Sequence, residues 1–363
     1  MEKIRVLIVD DSALVRKLLT EIFQSTTDIE VVGVAADPYI ARDKIKQLNP
    51  DVLTLDIEMP RMDGLTFLRN LMRLRPMPVV MVSTLTEHGA EATLQALALG
   101  AVDFVAKPKV DVAQSLAEYA DEIVEKVRMA ARAHVSVLET SSPVVKPSVE
   151  RAQDIKLSAD AVLSAQPIKP PPKHLGRIIA IGASTGGTEA IKEVVRQLPN
   201  ESPPVVISQH LPAPFSESFA RHVDMVSPMR AQLALHGQEL MPGHIYIAPG
   251  DYHLLVIRDG TRYIGHLHDG PPVNRHKPSV DVMFRSVAQC AAQQAIAVLL
   301  TGMGNDGAQG MKEIHDTGAR TIIQDEKTSV VWGMPGEAYR LGAADYMLPL
   351  RKIASQIIAL SNQ

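Results

Sequence analysis

Two sets of side chains in this sequence are of types that do chemistry, one following the other along the chain. The first is Asp10, Asp11 and Asp56, with Lys107 and Ser83. Three carboxylates gathered within a few ångströms push one another's pKa upward and cannot all stay charged at neutral pH unless a cation compensates. Mg²⁺ suits that role because it takes a few carboxylates together with phosphate oxygens and water. Lys107 adds a positive point charge that fits phosphate, and Ser83 offers a hydroxyl. The second set opens with Gly182-Ala183-Ser184-Thr185-Gly186, a Gly-x-Ser-x-Gly pattern, and continues with His210 and Asp306. A serine oxygen becomes a nucleophile when a base lies within hydrogen-bond reach and an acid orients that base. Gly-rich strand-to-helix turns also bind phosphate, so the pattern alone does not choose between the two uses. A phosphate switch placed upstream of a hydrolase is the chemistry this pairing predicts.

Such residues need elements that carry them to common edges. Up to about residue 127, short β-branched runs at 4–9, 31–35, 52–56, 79–83 and 103–106 alternate with helical periodicity. That alternation predicts an α/β fold with a five-stranded, doubly wound parallel sheet. The C-terminal ends of its strands then gather Asp10, Asp11, Asp56, Ser83 and Lys107 at one edge. Between about 136 and 174 the composition turns to Ser, Pro, Val and Lys, ending in a proline run, which reads as a linker. The expected organisation is a first domain over 1–127, a linker over 128–174 and a second domain over 175–363.

In that second domain, apolar runs at 177–184, 205–210 and 295–300 predict strands of a mostly parallel, doubly wound sheet, with Ser184, His210 and Asp306 at their C-terminal ends. Runs at 243–247, 253–257 and 262–266, punctuated by Pro249-Gly250 and Asp259-Gly260, predict antiparallel hairpins added to that sheet. The order serine, histidine, acid differs from the serine, acid, histidine of α/β-hydrolases and disfavours that fold. Leu99-Gly-Ala-Val-Asp-Phe is echoed by Leu341-Gly-Ala-Ala-Asp-Tyr, which reads as shared helix-glycine-strand connection chemistry.

Composition narrows the function classes. Of 363 residues, 46% are hydrophobic and 21% charged, the balance of a globular protein, and no apolar run approaches the ~20 residues of a membrane span. The first residues run directly into a strand pattern without the anatomy of a secretory signal, and the single cysteine, Cys290, cannot form an intramolecular disulfide; both predict a cytoplasmic protein. A net charge of −4 argues against a nucleic-acid partner, as does the lack of a helix-turn-helix pattern in the second half. His266 and His268 have metal-like spacing, but alternate residues of a strand share a face in any case, and no metal is expected there.

Asp10-Asp11, Asp56, the Met59-Pro60 turn, Gly64, Ser83 and Lys107-Pro108 make the first ~127 residues similar to the receiver domain of two-component response regulators. That resemblance implies Asp56 as phosphoacceptor, Asp10, Asp11 and Asp56 as Mg²⁺ ligands, Ser83 and Lys107 as phosphate sensors, and Phe104 as the switching aromatic, where Tyr is commoner. With this domain in front, Gly-Ala-Ser-Thr-Gly-Gly, Ser-Gln-His-Leu-Pro and Thr-Gly-Met-Gly-Asn-Asp-Gly make the whole chain apart from the linker resemble the chemotaxis protein-glutamate methylesterases. What this implies is hydrolysis of glutamate γ-methyl esters on chemoreceptors and deamidation of receptor glutamines. Ser184 would attack, His210 carry the proton and Asp306 orient the ring, with the Met303 N–H as oxyanion donor and Thr185 in support. The implied partners are methyl-accepting chemoreceptors and a chemotaxis histidine kinase, met in the cytoplasm at receptor arrays without membrane insertion. The segments 275–281 and 332–337 resemble family loops beside the cleft. An unphosphorylated receiver is expected to cover the Ser184 cleft. A hydrolase of some other ester or amide, and a DNA-binding response regulator, are the rival functions.

Overall fold

The structure, a computed structural model, describes residues 3–84, 86–107, 113–133, 157–166, 171–172 and 174–363, without the side chains of 87, 88, 113–116 and 118. Pro108 and most of the expected linker lie outside the described residues. The chain divides into two compact units, Met1–Ser142 and Pro143–Gln363.

The first unit alternates β1 (Ile4–Val9), α1 (Ala13–Gln24), β2 (Ile29–Ala35), α2 (Pro38–Leu48), β3 (Val52–Asp56), α3 (Gly64–Leu74), β4 (Val79–Ser83), α4 (Glu87–Ala98), β5 (Asp103–Ala106) and α5 (Ala113–Ala130). All neighbours in the sheet are parallel, in the order β2-β1-β3-β4-β5. Strands β3 and β4 are buried along their whole length, as strands covered on both faces must be. The helices start where sequence chemistry starts them: Ser12 and Asp63 accept backbone N–H groups from Val15 and Thr66, and Asp37 caps α2 ahead of Pro38. Helix α5 runs past residue 127, because Tyr119, Ile123, Val127 and Ala130 keep one buried stripe going for a further turn.

The second unit contains β6 (Ile178–Ala183), α6 (Gly187–Val195), β7 (Val205–Gln209), α7 (Ala213–Val226), β8 (Arg230–Leu233), β9 (Gln238–Glu239), β10 (His244–Ile247), β11 (His253–Asp259), β12 (Arg262–His268), α8 (Val280–Ala291), β13 (Ala295–Leu299), α9 (Ala308–Asp316), β14 (Arg320–Gln324), α10 (Met334–Arg340), β15 (Tyr346–Leu348) and α11 (Leu350–Ser361). Seven strands form one sheet in the order β15-β14-β13-β6-β7-β10-β8, and every pairing in it is parallel. Strands β11, β12 and β9 form a separate antiparallel sheet.

The hairpin region therefore differs in detail from the expectation. The run at 243–247 is an interior strand of the main sheet, where Ile245, Tyr246 and Ile247 are all buried between β7 and β8. The hairpin β11–β12 stands apart from that sheet and turns Leu254 and Val256 into the same core as Val280, Met283 and Phe284 of α8. No helix among the described residues is long and apolar enough to cross a membrane.

Candidate active site

Strand β6 begins the main sheet of the second unit at its middle, with β7 on one side and β13 on the other. Chain direction across the sheet reverses there, and it is beyond the C-terminal strand ends at such a switch point that open α/β sheets carry their sites. Each strand delivers one polar residue to that edge. Ser184 follows β6, its N–H donating to the Thr301 carbonyl at 3.0 Å and its own carbonyl accepting from Gln209 Nε2 at 3.0 Å. Gly186, with φ of +75°, turns the chain into α6 immediately afterwards, and a Cβ built there would meet Val330 Cγ2 at 2.6 Å. Gly302 passes so close that its Cβ would lie 2.8 Å from Ser184 Cβ, so the loop beyond β13 touches the serine only because it is glycine there.

His210 follows β7 and bridges the other two groups. Its Nδ1 lies 3.1 Å from Ser184 Oγ and its Nε2 lies 2.7 Å from Asp306 Oδ2. An ionised carboxylate only accepts hydrogen bonds, so Nε2–H donates to Asp306, and in the neutral ring Nδ1 is left to accept the serine proton. The His276 ring stacks on His210 with centroids 3.7 Å apart and planes 14° from parallel.

Asp306 is buried and held from several directions. Its Oδ2 also accepts from the Val280 N–H at 2.7 Å, and its Oδ1 accepts from Ser279 Oγ at 2.7 Å, Asn274 Nδ2 at 2.9 Å and the Asp281 N–H at 3.2 Å. Ser279 is the N-cap of α8, so the carboxylate sits on that helix's first amides. Burial alone would raise its pKa; the His210 hydrogen bond and charge, with His276 and Asn274, more than offset this and hold it well below the usual carboxylate range. Neighbouring Asp281 goes the other way, pushed up to about 7 by burial and by the Asp306 charge. Asn274 Nδ2 spans the two acids, donating to Asp281 Oδ2 at 2.7 Å.

Thr185 is buried beside the serine, and its carbonyl accepts from Thr301 Oγ1 at 3.0 Å. Met303 lies half-buried between Gly302 and Gly304, the latter at φ of +81°, in the loop that passes Ser184. Trp332 bridges to Gly302 and donates its Nε1–H to the Gln324 carbonyl at 2.9 Å, so the 332–337 segment backs this loop. His266 and His268 do not join a three-ligand cluster among the described residues; His266 instead faces His236 at 4.3 Å.

In the first unit Asp10, Asp11 and Asp56 have ligand oxygens within 4.8 Å of one another. Lys107 Nζ stands 2.8 Å from Asp56 Oδ2 and 3.3 Å from Asp10 Oδ2. Beyond that ammonium, neither buried oxygen has a hydrogen-bond partner among the described residues. Burial pushes Asp56 up to about 6 against the Lys107 hydrogen bond, and raises Asp10 as well. For Lys107, burial works downward but the Asp56 hydrogen bond and the two carboxylate charges prevail and raise it. Two buried carboxylate oxygens held by a single ammonium, beside an exposed third acid, are a donor set that a hard dication fits. Ser83 ends β4 at the same edge, its Oγ 3.3 Å from the Gly89 carbonyl, and Phe104 is buried on β5 with Lys126 Nζ 5.0 Å from its ring centre.

Residues 6–118 match the response regulator receiver domain, and residues 179–357 match CheB methylesterase. A protein-glutamate methylesterase/protein-glutamine glutaminase of Hydrogenovibrio crunogenus is 57% identical over 373 residues, taking in 99% of each chain. The chain belongs to the CheB methylesterase family. A relative with the same description, numbered 1, from Xanthomonas euvesicatoria is 56% identical over 99% of this chain and 98% of its own. Among solved structures, the Thermotoga maritima CheB methylesterase catalytic domain is similar at a TM-score of 0.50 and 38% identity, covering 51% of this chain and 98% of that one. This CheB-family chain is thus an enzyme that carries a receiver domain ahead of its hydrolase.

Sequence reasoning placed His276, Ser279 and Asp281 only within the 275–281 loop beside the cleft, with no role for any of them, and did not reach Asn274. Ser279 had a readable signal, a serine just before an apolar helical run. Asn274 had none, and the roles of Asn274 and His276 alike come from a turn closed by distant partners.

Proposed function

We propose that this chain hydrolyses glutamate γ-methyl esters and deamidates glutamines on methyl-accepting chemoreceptors by a Ser184-His210-Asp306 mechanism, under the control of phosphorylation at Asp56. The observation that carries this reading is the single imidazole within reach of both Ser184 Oγ, at 3.1 Å, and Asp306 Oδ2, at 2.7 Å. Ser184 attacks the side-chain carbonyl as Nδ1 of His210 takes its proton, and the imidazolium formed is held by Asp306. The tetrahedral oxyanion is received by the N–H of Met303, with Thr185 supporting the nucleophile turn; one such donor is worth about 3 to 4 kcal/mol in acyl transfer. His210 then protonates the departing methoxide or amide nitrogen, giving methanol or ammonia. Water activated by the same ring hydrolyses the acyl-enzyme to the glutamate carboxylate and free Ser184.

In the receiver, Asp10, Asp11 and Asp56 would hold Mg²⁺, which neutralises charge on the incoming phosphoryl group when bound. Asp56 takes that group from a chemotaxis histidine kinase, Lys107 and Ser83 engage its oxygens, and burial of Phe104 reports the change. The added negative charge, nearly two units, relieves a restraint that the receiver places on hydrolysis. The protein works in the cytoplasm, recruited to receptor arrays. Incubation with methylated receptor should release methanol in proportion to phosphorylation of Asp56. Ser184→Ala should stop that release while Asp56 still accepts phosphate; methanol release by a folded Ser184→Ala chain would refute the mechanism.

A further inference from the structure

Residues 157–164 fall in the stretch whose composition reads as linker, and outside the span 179–357 that matches the hydrolase family. They are nevertheless built into the second unit. Ala159, in a short 3-10 turn over Ala159–Ala161, is 4% exposed and packs in one cluster with Leu255, Val273 and Val282. Arg285 of α8 is almost buried; its Nη1 donates to Asp160 Oδ1 at 2.8 Å and to the Leu163 carbonyl at 3.0 Å, while Nη2 binds Glu313 at 2.6 Å. Gln289 Nε2 donates to the Ser164 carbonyl at 2.9 Å. The last link leads towards Asp306, because the Asn274 N–H donates to the Leu157 carbonyl at 3.0 Å.

Asn274 opens a tight turn. Val273 and His276 exchange backbone hydrogen bonds at 3.0 and 2.8 Å, and between them Asn274 and Arg275 have φ of +51° and +70°. Two successive non-glycine residues in the left-handed region persist only where the surroundings hold them. The segment 157–164 supplies that hold in two ways, with Ala159 buried in the cluster that holds Val273 and the Leu157 carbonyl accepting from the Asn274 N–H. From this turn Asn274 Nδ2 reaches Asp306 and Asp281, and His276 lies flat on His210.

We infer that residues 157–164 form a positioning strap of the hydrolase, fixing the 274–275 turn so that Asn274 and His276 hold the Asp306 carboxylate and the His210 ring in register with Ser184. This rests on the proposed Ser184 mechanism. The strap touches no reacting atom, and its effect is on geometry.

The test uses the full chain. Ala159→Glu places a charge in the apolar cluster and should lift the strap, Ala159→Ser is the conservative control, and a third chain replaces 157–164 with Gly and Ser at equal length. Methanol release gives kcat and KM, and hydrogen exchange at the Asn274 amide reports whether the strap is bound. A displaced strap should lower kcat about ten- to a hundredfold, leave KM within about threefold and expose the Asn274 amide, with Ala159→Ser unchanged. If Ala159→Glu does not fold, the Gly/Ser chain decides. An unchanged kcat with an exposed Asn274 amide, or a loss carried by KM alone, would overturn the strap. Ser184→Ala run in parallel separates the two ideas: hydrolysis by that variant sinks the mechanism, whereas a silent Ser184→Ala beside fully active strap variants sinks only the strap.

Discussion

Two acids a hydrogen bond apart from a common asparagine have opposite fates in this protein. Asp306 gains donors from His210, Val280, Ser279, Asn274 and Asp281 and stays charged, while Asp281, buried against that charge, is pushed up to about 7. A carboxyl whose pKa is higher folded than unfolded gives the folded state an advantage present below 3.8 and lost as pH rises through about 7. Asp281→Asn keeps an oxygen for the Gly310 N–H, which now donates to Asp281 Oδ1 at 2.7 Å, and removes the charge. The expected outcome is a denaturant midpoint that falls less between pH 4 and 7 in the variant than in the parent; parallel slopes would show that Asp281 does not titrate there. At this scale the sequence exposes residues that strands deliver directly, such as Ser184, His210 and Asp56. It hides Asn274 and the role of His276, because their positions depend on left-handed backbone at residues other than glycine and on a strap more than a hundred residues away in sequence.

Elements were legible where their burial was uniform. The fully buried, mostly apolar β3, β4, β6, β7 and β13 announce themselves, and both echoed connections place a left-handed glycine, Gly100 at φ +106° and Gly342 at +63°, between helix and strand. The short β8, β9 and β15 and the mixed β14 did not stand out, because edge strands and polar-ended strands lack a pattern of their own. Strand β10 was visible but misassigned to a hairpin, since a four-residue apolar run does not say which neighbours it pairs with. The nucleophile turn is the element with least freedom. Gly186→Ala combines a φ of +75° with a Cβ 2.6 Å from Val330 Cγ2, and should cost about 1 to 3 kcal/mol of stability by chemical denaturation. A midpoint equal to the parent's would mean the turn relaxes freely, contrary to the close packing around Ser184.

At the scale of the molecule, two units with separate chemistry predict separable responses. The division at Ser142 leaves the strap with the hydrolase, whereas a boundary drawn at 175 from composition removes it. A chain of residues 143–363 should hydrolyse receptor esters at least as fast as the unphosphorylated full chain, and one of residues 175–363 more slowly than 143–363. Chelation of divalent cations should abolish phosphate uptake at Asp56 and leave hydrolysis by 143–363 intact; loss of hydrolysis on chelation would place a metal in the wrong unit. Composition missed the strap because Ala159, Val162 and Leu163 are too few apolar residues to read as a core, and they become one only against Leu255, Val273 and Val282.

The relay itself can be measured without a receptor. A fluorophosphonate reacts only with a serine whose proton is being removed, so peptide mass spectrometry of the treated chain should find one adduct, on Ser184, forming at least about a thousandfold more slowly in His210→Gln and Asp306→Asn. An adduct on another residue, or labelling of Ser184 at the parent's rate in both variants, would contradict the account.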